Sequence, residues 1–420
     1  QFFLDNYPSY FTEANKKTIV SIFQKIDGVS PFDDKVHYRM LSCSIKLQYI
    51  NGKYYNVFPV SVCNGPDTTK IQVGYELTRI DGTPCDSFLN KHIYDCLFGK
   101  HSYDIYLKKI YDVMLTANLS FLTGNDDLYL TFKENDSAAE FSVKYSGKGL
   151  MKIFDASLQL GDIRTKKCPK VLLIGDILYL RIPEMDLSSK YFFLEKIREF
   201  RNKHISKVVL DVRDNRGGSD LLWHTILSEI IDTKIDAYFK LGFRNTKLFQ
   251  PYLDESINNY PVFYDSILKV SYRLITDNSK LGFTISPSDS SIRFSGKIFV
   301  LHNRKSFSAA NSLVTLANCN DRLVAVGETN GKLGGYGIDP KLFQLPNSKL
   351  IFIMHSTIHI PDKPKSIEDY FWNKTEIKVE TNPFFENIME EYQNKDIYTE
   401  DFLLKKDIYF KKVLEYNLDN

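Results

Sequence analysis

Two serines, Ser306 and Ser308, stand in Lys305-Ser306-Phe307-Ser308-Ala309-Ala310-Asn311, where one kind of pattern gives way to another. Upstream, Ile298-Phe299-Val300-Leu301 is an apolar run that predicts a buried strand, and a short polar segment, His302 to Lys305, follows it. Downstream, Ala309, Ala310, Leu313, Val314, Leu316 and Ala317 have helical spacing. A serine at such a junction presents its hydroxyl beside the unpaired N–H groups of a helix start. That suits a nucleophile. It equally suits a helix cap, for which serine is favoured, and the stretch alone fits both roles.

Other residues bear on the choice. Gly217 and Gly218 follow directly on Val208-Val209-Leu210-Asp211-Val212, a second apolar strand pattern. Paired glycines let the backbone come close to another group, and their N–H groups can cradle an anion. Beside Ser308 they would form an oxyanion hole, with the Ala309 N–H as a further donor. The plainer reading is a tight turn. A serine nucleophile also needs a base. Lys332, in Gly327-Glu328-Thr329-Asn330-Gly331-Lys332, would serve if desolvation lowered its pKa. His37, in Asp33-Asp34-Lys35-Val36-His37, is the other candidate. Spacing does not choose between them.

The elements that must position these residues change character along the chain. Glu13 to Ile26 has the apolar spacing of an amphipathic helix, ended by Asp27-Gly28. Residues 38–63 alternate around Asn51-Gly52 and predict a hairpin. Val73 to Pro84 reads as a strand and an Asp-Gly turn, followed by a helix-like segment from Phe88 to Leu97. Residues 103–150 suggest a further helix and two β-like runs. From about residue 170, strand and helix alternate, which argues for an α/β layer with crossover connections. A charged helix from Tyr398 to Tyr416 closes the series.

Bulk composition narrows the function. The 420 residues suffice for two or three domains. Lys and Arg number 54 against 52 Asp and Glu, so the charge gives no case for nucleic acid as a partner. Six cysteines, Cys43, Cys63, Cys85, Cys96, Cys168 and Cys319, are scattered without CxxC spacing, and no zinc site is expected. No apolar run is long enough for a membrane span. No GxGxxG or GxxxxGKS/T motif occurs, which disfavours nucleotide binding. The start at Gln1 suggests removal of a targeting segment and a secreted or cell-envelope location.

Four motifs, in order, resemble those of the S41 peptidases, which include C-terminal processing proteases and tricorn-core-like relatives. Val209 to Gly218 resembles the strand and D-x-R-x-N-x-G-G turn. Ser306 to Asn311 resembles the S-x-S-A-x-E segment, with Asn311 in place of the usual acid. Val326 to Lys332 resembles the G-E-x-T-x-G-K loop, one residue short, and Val73 to Pro84 resembles a PDZ-like segment. The resemblance is closer to the non-processing branch, where a histidine from a D-x-H segment acts as base, and Asp34-Lys35-Val36-His37 is similar with one extra residue.

The resemblance implies an α/β multidomain fold. Its parts would be a small helical and hairpin region at 1–64, a PDZ-like domain with β segments at 65–165, and a ClpP/crotonase-like core with flanking helices at 166–420. It implies a serine endopeptidase acting on peptides or unfolded proteins, without cofactor or metal. Ser308 would be the nucleophile, His37 or Lys332 the base, and Gly217, Gly218 and Ala309 the oxyanion donors. Two readings compete with it. One is a non-catalytic binder of peptides or hydrophobic ligands on the same fold. The other is an esterase-like hydrolase, against which the missing GxSxG elbow counts.

Overall fold

The structure is a computed structural model that describes residues 45–57, 59–64, 67–91, 103–104, 109–110, 112–115, 127–134, 139–146, 168–237, 240–252, 255–275, 283–328, 340–344, 351–360, 365–366, 368–371, 373–391 and 397–417. It is a mixed α/β protein with several sheets, divided into two units. One unit comprises 1–164 with 382–393, and the other 165–381 with 394–420. The expected helix at 13–26 lies outside the described residues.

The first unit is built on antiparallel strands. Ile45–Ile50 and Lys53–Asn56 form the expected hairpin, with Asn51 and Gly52 both at positive φ, as a two-residue turn of this kind requires. Glu76–Ile80, Asp112–Leu115, Asp127–Lys133 and Glu140–Ser146 extend the sheet. Its core gathers Ile45, Leu47, Leu77, Ile80, Leu130 and Phe132, with Phe88 and Leu89 from the helix Cys85–Lys91. Between 103 and 146 the described residues form strands and no helix. The register explains it for Asp112–Leu115, since Leu115 and Val113 lie opposite Ile45 and Leu47.

The second unit holds the predicted α/β layer. Strands β1 (Lys170–Ile174), β2 (Ile177–Arg181), β3 (Lys207–Asp211), β4 (Ile298–His302), β5 (Leu323–Gly327) and β6 (Ile377–Lys378) lie side by side in that order. The β1–β2 pair is antiparallel and the remaining pairs are parallel. Every residue of β2, β3, β4 and β5 is buried, as in a sheet covered on both faces. On one face, Leu178, Leu180, Val208, Leu210, Ile298 and Val300 share a core with α1 (Lys190–Arg198), α2 (Asp220–Ile230) and α3 (Ala309–Ala317). On the other, Tyr179 stacks edge-on against Phe410, and Phe299 against Tyr416, with ring centroids 5.9 Å and 5.1 Å apart. A four-stranded antiparallel sheet, from Lys240–Arg244, Val262–Asp265, Val270–Ile275 and Thr357–Ile360, belongs to the same unit.

The helix expected from Tyr398 to Tyr416 is two helices, α4 (Glu400–Lys405) and α5 (Ile408–Glu415). Asp407 breaks it. Its carboxylate accepts from the N–H groups of Tyr409 and Phe410 and so caps α5, which a mid-helix residue does not do. The same carboxylate receives Nη1 and Nη2 of Arg213 at 2.9 and 2.6 Å. Arg213 also grips Asp211 through Nε and Nη2, at 3.0 and 2.6 Å. Arg181 and the Tyr179 hydroxyl complete the shell around Asp211, and Arg213, Asp211 and Asp407 are wholly buried. Burial pushes the Asp211 carboxyl up, but the guanidinium groups of Arg213 and Arg181 and the hydrogen bonds from Arg213 and Tyr179 outweigh it and hold the carboxyl at about 2. At the far end of α5, the Lys207 ammonium donates to the carbonyls of Val413 and Tyr416 at 2.7 and 2.8 Å. It thereby satisfies groups that a helix end leaves open.

Two tests follow. Asp407→Asn keeps a capping side chain but removes one of the two carboxylates that pair with the buried Arg213 guanidinium, the other being Asp211, which Arg181 shares. The expected loss is about 3–5 kcal/mol, read from the urea midpoint. A shift under about 1 kcal/mol, the size seen for exposed pairs, would mean the network contributes little.

The second test is acid stability. Burial pushes the His302 imidazole down to about 4, against an upward pull from the Glu328 carboxylate. Unfolding returns it to about 6.5, so the unfolded chain binds the proton first. Stability contributed by neutral His302 is complete above about pH 6.5 and falls away toward pH 4. His302→Phe should flatten stability against pH in that window. An unchanged slope would refute the assignment.

Candidate active site

Two loops leave the C-terminal ends of the adjacent parallel strands β3 and β4, and they are stitched together. The Asp214 N–H donates to Asn303 Oδ1 at 3.0 Å, while Asn303 Nδ2 donates back to Asp214 Oδ1 at 3.1 Å. The Phe307 N–H donates to the Asn215 carbonyl at 2.9 Å. Ser306 is buried, donates its hydroxyl to the Val212 carbonyl at 2.8 Å and accepts from the Asn303 N–H. Ser306 therefore braces the loop. Its hydroxyl is not available to a substrate.

Ser308 differs. It precedes the first residue of α3 at φ 53°, ψ −125°, and its side chain makes no capping hydrogen bond. A serine in this left-handed region stores strain of about 1–3 kcal/mol. Ser308 is partly exposed and Phe307 beside it is exposed. A sharp, strained strand-to-helix turn is also how a nucleophilic serine is presented in proteins that carry GxSxG. Here the turn is made without that motif.

Gly217 lies against this turn, and Gly218, next to it, lies against Met185. At Gly217 (φ 96°), a methyl group would fall 2.4 Å from Ser308 Cβ, 2.8 Å from the Phe307 carbonyl oxygen and 3.0 Å from the Ala309 nitrogen. At Gly218 (φ 133°), it would fall 2.3 Å from the Met185 carbonyl oxygen. Only glycine fits either place. The structure thus brings Gly217, Ser308 and Ala309 together. The Gly217 N–H already donates to Asn215 Oδ1 at 2.8 Å. Among the described residues, the Gly218 N–H has no partner. Neither has that of Ala309, at the open start of α3. Two helix N-termini, those of α2 and α3, open close to these groups, and both favour negative charge.

Charged groups border the two loops. Asp220 begins α2. Burial raises its carboxyl, against hydrogen bonds from Trp223 and Ser312. Glu328 directly follows β5, accepts from the Arg304 N–H and guanidinium, and fastens the β4–α3 loop to the end of β5. Burial pushes Glu328 up, and Arg304 outweighs it and lowers the carboxyl. His302, part of a polar segment in the sequence, is fully buried, and among the described residues neither ring nitrogen has a hydrogen-bond partner. A methyl group at Gly327 would meet its Cδ2 at 3.2 Å. The clue was register: with Ile298 and Val300, His302 occupies the alternate positions of β4 that face the helices. The candidate bases His37 and Lys332 lie outside the described residues. Among the described residues, no group of three or more His, Cys, Asp or Glu side chains could hold a metal ion, and no helix is long and apolar enough to cross a membrane.

No curated protein matches the chain. Solved structures resemble it at low identity. Mature CPAF complexed with lactacystin is similar over 84% of this chain and 83% of its own, at 18% identity and a TM-score of 0.48. The photosystem II D1 C-terminal processing protease is similar over 91% of this chain and 85% of its own, at 12% identity and a TM-score of 0.33. The tricorn protease is similar over 87% of this chain and 28% of its own, at 15% identity and a TM-score of 0.28. Residues 176–378, which hold both stitched loops, match the sequence model of Peptidase family S41, the family that the motifs resemble.

Proposed function

We propose that this chain is a serine endopeptidase of the S41 type, with Ser308 as nucleophile. The observation that carries the reading is the strained Ser308 turn set against Gly217, with the neighbouring N–H groups of Gly218 and Ala309 unpaired among the described residues. In the proposed reaction, the Ser308 hydroxyl adds to a peptide carbonyl as a base removes its proton. The carbonyl oxygen takes up negative charge, which the N–H groups of Gly218 and Ala309 and the two helix N-termini stabilise. The amine leaves with a proton returned by the base, and water then hydrolyses the acyl-enzyme. Gly217 is the residue of close approach in this scheme, since its own N–H is engaged by Asn215. His37 or Lys332 is the base. The six-stranded sheet and its helices are read as the ClpP/crotonase-like core. The antiparallel unit is read as PDZ-like, able to take up an extended peptide by strand addition.

Ser308→Ala should abolish cleavage of an unbiased peptide mixture, followed by mass spectrometry, and abolish labelling by a fluorophosphonate. Equal cleavage by wild type and variant would remove Ser308 from the mechanism. Absence of both cleavage and labelling in the wild type would favour the non-catalytic binding protein. Gly217→Ala forces a methyl group onto Ser308 and should lower kcat by about a hundredfold or more. Activity near wild type would contradict the proposed packing. A histidine base should bring activity in near pH 6.5, whereas a lysine base shifts the rise upward unless burial lowers its pKa, so the pH profiles of His37→Ala and Lys332→Ala identify the base.

A further inference from the structure

A strained residue keeps its conformation only when its surroundings over-determine it. For Ser308, the upstream side is held by the Phe307 N–H on Asn215. The downstream side depends on where α3 sits. Residues 373–375, just before β6, hold that helix along its length. Asn373 Nδ2 donates to Asn311 Oδ1 at 2.8 Å, in the first turn of α3. Asn373 Oδ1 accepts from Thr315 Oγ1 at 3.0 Å, one turn on. At the helix end, Asn318 Nδ2 donates to the Lys374 carbonyl at 2.6 Å, and its Oδ1 accepts from the Lys374 N–H at 2.8 Å. Asn311 and Asn373 are 0% and 1% exposed, so water does not compete for their contact.

The same segment reaches the other loop of the site. Thr375 Oγ1 donates to the Glu328 carbonyl at 3.3 Å, and the Val379 N–H donates to the Gly327 carbonyl at 2.8 Å. One short stretch therefore fixes both α3 and the end of β5, where Glu328 holds Arg304 of the nucleophile loop.

We propose that Asn373 is a positioning residue for Ser308: its carboxamide clamps the first two turns of α3 and thereby holds the serine in its left-handed state. The inference deepens the serine-peptidase reading and rests on it for its catalytic consequence. Asn311 takes part as the partner of the clamp. This gives a role to the one position where the nucleophile segment departs from the family motif.

The test compares wild type with Asn373→Ala, and with Asn373→Asp, which keeps the shape and the acceptor but loses the donor to Asn311. Hydrogen exchange at the amides of Ala310 and Ser312, which donate to the Phe307 and Ser308 carbonyls, reports the clamp without need of catalysis. Exchange there should rise in both variants while β3 and β4 stay protected. Fluorophosphonate labelling of Ser308 and kcat should fall together by about tenfold to a hundredfold, with KM within twofold. Exchange and labelling like wild type would overturn the proposal. So would a loss of protection spread evenly through β3 and β4 with kcat and KM unchanged, since that describes a merely structural residue. If exchange rises locally but wild type is never labelled, the peptidase reading fails and the clamp stands.

Discussion

Arg213 is the constraint on which the second unit depends. It is wholly buried, at the point where β3 ends and the glycine loop begins. A guanidinium in that position is tolerable only with full pairing, because an uncompensated buried charge costs several kcal/mol. Asp211 supplies one side and Asp407 the other. Tyr409 and Tyr398 lie over its plane, with centroids 4.7 Å and 5.6 Å from its central carbon. The requirement works in both directions. The strand end is fixed because its charge must meet Asp407, and the C-terminal helices are fixed because Asp407 must meet the strand end. Hydrophobic contact alone, being non-directional, would leave α5 free to slide over Tyr179 and Phe299.

From that anchor the geometry passes outward residue by residue. In Asp211 to Gly218, the buried polar residues Asp211, Arg213 and Asn215 take structural duties. Asp211 and Arg213 join the C-terminal helices, and Asn215 ties the Ile182 carbonyl, the Gly217 N–H and the Phe307 N–H into one knot. Gly217 then allows the contact with Ser308. In the proposed reaction the oxyanion donors are backbone groups on two interlocked loops, so they would need little reorganisation when charge develops there. Such preorganisation is the main source of electrostatic catalysis.

Much of this was legible in the sequence, and the parts that were not share a cause. The apolar runs at 208–212 and 298–301 announced buried strands, and the small residues after Ser308 announced a helix, because both signals are local. The hairpin at Asn51-Gly52 was equally local. The break at Asp407 was not: the surrounding charges and apolar stripe read as one helix, and the residue that interrupts it answers to Arg213, 194 positions away. Asn373 answers to Asn311 across 62 positions. Ser306 and Ser308 looked alike until the Val212 carbonyl claimed one of them. Polar residues whose partners are distant carry no periodic signature, which is why patterning locates the strands and helices but not the contacts that make a site of them.

The distance between Arg213 and Asp407 also has a meaning in time. A ribosome delivers the chain from one end, at roughly 5–20 residues per second. The 194 positions that separate the two partners correspond to a wait on the order of ten to forty seconds. During that interval β3 can pair with its neighbours, but its terminal guanidinium has no lasting counter-charge on the far side, and the loop that carries Gly217 has no firm root. The Ser308 turn packs on that loop, so it too must wait. For a chain read as a peptidase, the arrangement is a delay line: the site that Gly217 and Ser308 would form is not assembled until the segment that carries Asp407 has been made.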